Sequence, residues 1–243
     1  MSSSPWRRAV KRALRRVGYD VIQYRPSSSD AAKITALMRH AGVDLVLDVG
    51  ANEGQFAQEL IDGGYRGRIV SFEPLRDAHA RLSRAAAGHA GWTVHERCAI
   101  GDHDGEVQIH VAGNSVSSSI RPMLDQHAQS APESRYVGTE AVPLRRLDGI
   151  ALAHAEGARA LHLKIDTQGF EAAVLRGAPQ LLKRAKVVQL ELSLVPLYEG
   201  QELWGHFMAL MQAEGLVPWT LLPGFVDPQT GRTLQLDGVF LRP

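Results

Sequence analysis

The run Leu47-Asp48-Val49-Gly50-Ala51-Asn52-Glu53-Gly54-Gln55-Phe56 constrains this chain most. An apolar strand that ends in an acid and a tight glycine turn is how nucleotide-shaped cofactors are held. Residues 43–49 read as a short buried parallel strand, and Phe56, Leu60 and Ile61 recur at helical spacing between Gly54 and Gly63. The glycines therefore fall at a strand-to-helix crossover, where open α/β sheets bind their ligands.

Charge selects among cofactors. A dinucleotide fingerprint, GxGxxG, sets a pyrophosphate on the helix N-terminus, but this loop offers Gly50, Asn52 and Gly54 with Glu53 inside it. Asp48 at the strand's end would repel a pyrophosphate and attract an ammonium group. S-adenosylmethionine, which carries an α-amino group and a sulfonium and no phosphate, fits that charge. Glu73 ends the next apolar strand, 68–73, near the spacing of about 20 residues at which an acid meets the ribose hydroxyls. Pro74 suits the first turn of the helix that follows. The plainer alternative makes Asp48 a turn acid and Glu73 a helix N-terminal acid.

The chain has 243 residues, 44% of them hydrophobic and 22% charged, with a net charge of +1. That is enough for one α/β domain over 43–243, preceded by a helical N-terminal extension over 1–42. No apolar stretch approaches the ~20 residues needed to cross a bilayer, and no secretory signal pattern is present. The lone cysteine, Cys98, fits a reducing cytoplasm, and the near-zero net charge argues against a nucleic-acid partner. The extension itself is basic: Arg7, Arg8, Lys11, Arg12, Arg15 and Arg16 alternate with Trp6, Val10, Leu14 and Val17 at helical spacing. Such a helix either lies on an anionic membrane surface, here the cytoplasmic leaflet of the inner membrane, or docks on the domain with its arginines solvated. Arg25-Pro26-Ser27-Ser28-Ser29 reads as a linker, and Ser29 or Asp30 caps a second helix carrying Ile34, Leu37 and Met38.

Strands over 43–49, 68–73, 93–98, 160–166 and 186–192, with helices between, predict a doubly wound, mainly parallel sheet. Two final strands, 216–222 and 238–241, with a turn at Pro223-Gly224, predict an antiparallel edge. Residues 106–147, rich in serine, proline and histidine, read as an irregular insertion serving as a substrate lid.

A second crossover is Leu161-His162-Leu163-Lys164-Ile165-Asp166-Thr167-Gln168-Gly169-Phe170-Glu171. Period two sets His162, Lys164 and Asp166 on one face, an expensive arrangement in a buried parallel strand unless partners are supplied. Asp166 would face the same crevice as Asp48 and Glu73. With Glu191 from the next strand it forms a carboxylate pair for proton abstraction, or for a divalent metal such as Mg with oxygen ligands. The competing reading is a structural ion pair of Lys164 with one of these acids, and His162 reads as a core histidine.

These two motifs, together with Phe72-Glu73-Pro74 and the serine run before Ile120, resemble the FkbM family of S-adenosylmethionine-dependent methyltransferases over about residues 44–193. The resemblance implies a Rossmann-like methyltransferase fold and methylation of a hydroxyl oxygen on sugars or polyketide-type metabolites. It implies that Asp48, Gly50 and Asn52, in the loop with Ala51 and Gly54, hold the methionine moiety. Glu73 would then hold the ribose, and the segment at Cys98 and Ala99 the adenine. Gln168 stands where many relatives have a glutamate, so an acid role is lost there. In the implied reaction an alcohol attacks the sulfonium methyl in line, with Asp166 as first candidate base, Glu191 as second and Glu171 as support. Joined to the basic helix, the resemblance suggests a glycolipid sugar as acceptor. The rival readings are a non-catalytic nucleoside-binding module and a nucleic-acid methyltransferase, for which the arginine-rich helix is the sole support. A nicotinamide oxidoreductase is disfavoured by the missing third glycine and by Asp48.

Overall fold

The structure is a computed structural model that describes residues 5–243, the side chains of Pro5 and Arg7 excepted, so the expectation for Arg7 lies outside the described residues. Helices α1 (Pro5–Arg16) and α2 (Asp30–His40) precede the first strand, β1 (Leu45–Val49). Then come α3 (Gln55–Asp62), β2 (Arg68–Phe72), α4 (Arg76–Ala86) and β3 (Trp92–Val94). The chain next leaves the main sheet through β4 (Ala99–Gly101), β5 (Gly105–Ala112), α5 (Asp125–Ser130) and β6 (Tyr136–Arg146). It returns through α6 (Leu147–Ala151), β7 (Leu161–Ile165), α7 (Glu171–Arg176), α8 (Pro179–Arg184) and β8 (Ala185–Ser193), and ends with α9 (Trp204–Ala213), β9 (Val217–Pro223) and β10 (Gln235–Leu241).

The main sheet runs β3-β2-β1-β7-β8-β10-β9. The five strands from β3 to β8 are parallel, and β10 pairs antiparallel with both β8 and β9. This is the Rossmann-like, doubly wound arrangement with an antiparallel edge that the strand pattern predicts. The central strands are apolar on both faces because helices cover both. Along β1, Leu45, Leu47 and Val49 pack into one core layer and Val46 into the other. Chain order reverses between β1 and β7, and the crevice outside their carboxyl ends is the ligand-binding position of such sheets.

α2 belongs to this core: Ala32, Ile34, Leu37 and Met38 are buried, and the Ser29 hydroxyl accepts from the Ala32 amide at the N-cap. A cap of this kind is worth about 1 kcal/mol. Among the described residues no helix is long and apolar enough to cross a membrane.

Three expectations are corrected. The strand over 93–98 is cut short: β3 stops at Val94, Cys98 lies in no strand, and β4 turns into a second sheet of order β4-β6-β5. Residues 106–147 are for the most part regular, because β5 and β6 form an antiparallel arm. The alternation Val107, Ile109, Val111 marks β5 in the sequence, but the Ser- and Pro-rich connection between the strands masks it. Pro74 lies just before α4, ahead of the N-cap residue Leu75, and not in its first turn.

Candidate active site

A cavity of about 690 Å³ opens at the carboxyl ends of β1, β2, β7 and β8, with α2 and the arm on its flanks. The first loop, after β1, is shaped by backbone proximity. Gly50 has φ 78°, and a Cβ there would lie 1.8 Å from the Asp166 carbonyl oxygen, so only glycine lets the two crossover loops touch. Gly54, at φ 95°, would collide with the Trp92 ring if it carried a side chain. Asn52 is left-handed without being glycine, at φ 47°. Its backbone N–H donates to Glu73 Oε2 at 2.9 Å, while the Leu75 N–H donates to Oε1 at 2.9 Å. Glu73 therefore ties the loops after β1 and β2 together while lining the cavity, and burial pushes its carboxyl up to about 7. The Asn52 Oδ1 atom is buried with no protein partner. Gly50, Ala51 and Asn52 line one wall, and Cys98 and Ala99 line another; burial pushes the Cys98 thiol up to about 11. Gly54 lies off the wall.

Asp48 is not at the cavity surface. It is fully buried, and Lys164, its register partner on β7, sits with Nζ 3.3 Å from Oδ1, an ion pair without directed hydrogen-bond geometry. Ser71 Oγ lies 3.4 Å from Oδ2 and receives the Trp92 indole N–H at 3.0 Å. The ammonium that Asp48 meets is thus the protein's own. Burial draws Lys164 down, but Asp48, Asp166 and Asp237 outweigh it and keep the ammonium charged.

Lys164 also lies 3.5 Å from Asp166 Oδ2, and Asp166 lines the cavity. Glu191 and its register partner Asp237, on β10, continue this row of acids across the sheet. Burial, reinforced by Asp166, Glu171 and Asp237, pushes Glu191 well up, and burial with Asp166 pushes Asp237 up to about 6. Gln168 joins the expected pair. Its Nε2 donates to Asp166 Oδ1 and to Glu191 Oε2, each at 2.9 Å, and its Oε1 accepts from the Tyr198 hydroxyl at 2.7 Å. Its backbone is left-handed, at φ 53°, and Ser119 Oγ donates to its carbonyl at 2.6 Å. Such a conformation persists where neighbours over-determine it.

Glu171 does not reach the cavity wall. It accepts from the Thr167 N–H at 2.9 Å, the Thr167 hydroxyl at 3.2 Å and the Gly169 N–H at 3.1 Å, so it fastens the second loop; burial raises it to about 7. His162 packs against Met38 and edge-on to Phe56, with burial holding it down to about 3. Among the described residues no three His, Cys, Asp or Glu side chains form a metal-binding group.

The sequence reading missed Asp237, Gln189 and Tyr198. Asp237 carried a signal, being a lone acid in an apolar strand, whereas nothing local marked Tyr198.

Among curated proteins, the chain is similar to the 2-O-methyltransferase NoeI of Sinorhizobium fredii, 28% identical over 165 residues, which cover 65% of this chain and 66% of NoeI. It is also similar to a phosphoserine phosphatase of Streptomyces coelicolor, 29% identical over 142 residues, covering 56% of this chain and 31% of that protein. Among solved structures, the methyltransferase FkbM from Methylobacillus flagellatus is 17% identical with a TM-score of 0.45, covering 81% of this chain and 43% of that one. The methyltransferase FkbM domain model matches residues 48–217, from Asp48 near the end of β1 to the start of β9. The chain belongs to the FkbM methyltransferase family.

Proposed function

We propose that this chain is an S-adenosylmethionine-dependent O-methyltransferase acting on a sugar hydroxyl. The observation that carries the reading is one cavity lined by two unlike groups of residues. A backbone-lined cradle lies at Gly50–Asn52 and Glu73, and an acid row of Asp166, Glu191 and Asp237 is held over Lys164.

The cradle suits the cofactor. Seven acids line the cavity with Lys164, a balance that favours a cationic sulfonium and ammonium and opposes a pyrophosphate. Asn52 Oδ1 offers an unused acceptor, and Glu73 keeps a lone pair on each oxygen beyond its two backbone bonds. On this reading Glu73 meets the ribose hydroxyls, Gly50, Ala51 and Asn52 the methionine moiety, and Cys98 and Ala99 the adenine. The bound cofactor supplies an electrophilic methyl group.

Beside the cradle, Asp166 would take the acceptor's hydroxyl proton. It reaches the cavity, Lys164 steadies it on one side and Gln168 on the other. Asn114, Ser117, Gln189 and Gln235 line the cavity and offer hydrogen-bond partners to a polyhydroxylated acceptor. Gln189 Oε1 is buried without a partner, as a ligand-facing acceptor would be. The name of NoeI, a 2-O-methyltransferase, supports oxygen as the methylated atom.

Calorimetric titration with S-adenosylhomocysteine and, separately, NAD tests the cofactor half. Saturable binding of the former alone, weakened by Asn52→Ala, is expected; no binding of S-adenosylhomocysteine would refute the reading. A screen of sugar acceptors with labelled S-adenosylmethionine then tests the other half.

A further inference from the structure

The N-terminal segment ahead of the cavity is exposed in an unusual way. Val10 on α1 is exposed, and the chain after the helix exposes Val17, Tyr19, Val21, Ile22 and Tyr24. Trp6 at the helix start is also exposed. Large apolar side chains scattered singly over a surface are ordinary, but a consecutive set on one short segment marks an interaction site. Around them stand Arg8, Arg12, Arg15 and Arg16, whose positions fall on the helix face away from Val10 and Leu14, with Lys11 at its edge. The one acid of the segment, Asp20, is held by Arg15 at 2.8 Å and by Lys11 at 3.9 Å, which leaves the cationic face in large excess.

We propose that residues 5–24 dock on an anionic lipid bilayer, the apolar side chains entering the interface and the arginines meeting the headgroups. Charge complementarity names the occupant: cations beside aliphatic and tyrosine side chains match an anionic interface, whereas a second copy of this segment would set cation against cation. The helix alone supplies a narrow apolar stripe, and residues 17–24 add five exposed large apolar side chains to the segment. This is the apolar area that interfacial binding requires beyond charge. Docking also fixes where the cavity sits. The segment joins α2 through a short turn in which Ser28 Oγ donates to the Gln23 carbonyl at 2.8 Å, and the Tyr24 hydroxyl lies 3.4 Å from Thr35 Oγ1. Asp30, Ala31 and Ile34 of α2 line the cavity, so a docked segment places that wall beside the bilayer.

The test is sedimentation of the full chain with phosphatidylcholine vesicles, with and without about a third phosphatidylserine. The expected result is binding to the anionic vesicles alone. Two variants, Val21→Asp with Ile22→Asp, and Arg12→Glu with Arg16→Glu, should each lower the bound fraction about tenfold or more without moving the melting temperature. Failure to bind anionic vesicles would overturn the proposal. So would binding that survives the aspartates, or equal binding of a duplex oligonucleotide that ignores them, since either would mark a general polyanion site. Because S-adenosylhomocysteine binding is read separately, a failed cofactor titration leaves this result standing, and the converse holds.

Discussion

The two crossover loops lie side by side at the same end of the sheet, yet they are built in opposite ways. The loop after β1 holds Gly50, Asn52 and Gly54 in left-handed conformations and is fastened from outside, by Glu73 just after β2. The loop after β7 is fastened from within, by Glu171 of its own helix, and projects Asp166 and Gln168. The first can present backbone to a ligand, because Gly50 has nothing to project. The second presents aimed carboxyl and amide groups. Binding and chemistry are thereby divided between two loops whose backbones meet at Gly50 and Asp166.

The sharpest way to break this division is Asp166→Asn, which should lower methyl transfer by about 10²–10⁴ while leaving S-adenosylhomocysteine affinity within about threefold. Retained turnover, measured with any acceptor the screen returns, would remove Asp166 from the chemistry and leave both loops as binding elements. Next in size is Asp48→Ala. Since Asp48 neutralises a buried Lys164 and does not line the cavity, the variant should lose about 3–5 kcal/mol of stability. The double change Asp48→Asn with Lys164→Met should recover part of that in a urea titration, because the buried ammonium is removed with its counter-ion, while Asp166 loses its Lys164 partner. An Asp48→Ala protein of native stability but weak cofactor binding would return Asp48 to the cradle.

A smaller effect is expected from Gln168→Leu. It leaves Asp166 Oδ1 and Glu191 Oε2 without their shared donor, which should slow turnover about tenfold and cost about 1–3 kcal/mol. Gln168→Asn, too short to span both carboxylates, should not rescue it. The smallest effect concerns Glu73. Its folded value of about 7 lies above the usual value near 4.5, so the native state holds a proton that the unfolded chain has released. Its contribution therefore falls as pH rises from about 4.5 to about 7. Glu73→Gln removes that slope: melting temperatures at pH 5 and pH 7.5 should show the variant gaining on the parent at the higher pH, by about 2 kcal/mol. The histidines held low by burial, His127 and His162, act in the opposite direction in both proteins and cancel in the difference.

The elements legible in the sequence were those with a local signature. Alternation and apolar runs located β1, β2, β7 and β8 to within a residue or two, and the glycine spacing located the first loop. Asp166 and Glu191 were legible as a pair because each interrupts an apolar strand at its carboxyl end. The arm was not, because the signal of β5 is one-sided and its partner β6 carries Gly138 and Pro143, residues that weaken a strand pattern. Glu171 was read as a support near the helix start, and the spacing alone does not say whether such an acid turns to the ligand or, as here, back to its own loop.

What the sequence by itself determined is the set of local preferences: a parallel core of β-branched and leucine-rich strands, positive-φ glycines at the first crossover, and acids at the strand ends. Tertiary structure alone decided the partners. Asp48 meets Lys164 because β1 and β7, more than a hundred residues apart in the chain, became register neighbours, and that pairing turned an expected ligand-binding acid into a buried counter-ion. In the same way β8 beside β10 set Asp237 next to Glu191, and the chain beyond β8 brought Tyr198 onto Gln168. The physical reason is that backbone conformation is chosen over a few neighbouring residues, whereas a buried charge is satisfied by whichever group the sheet order brings within about 4 Å.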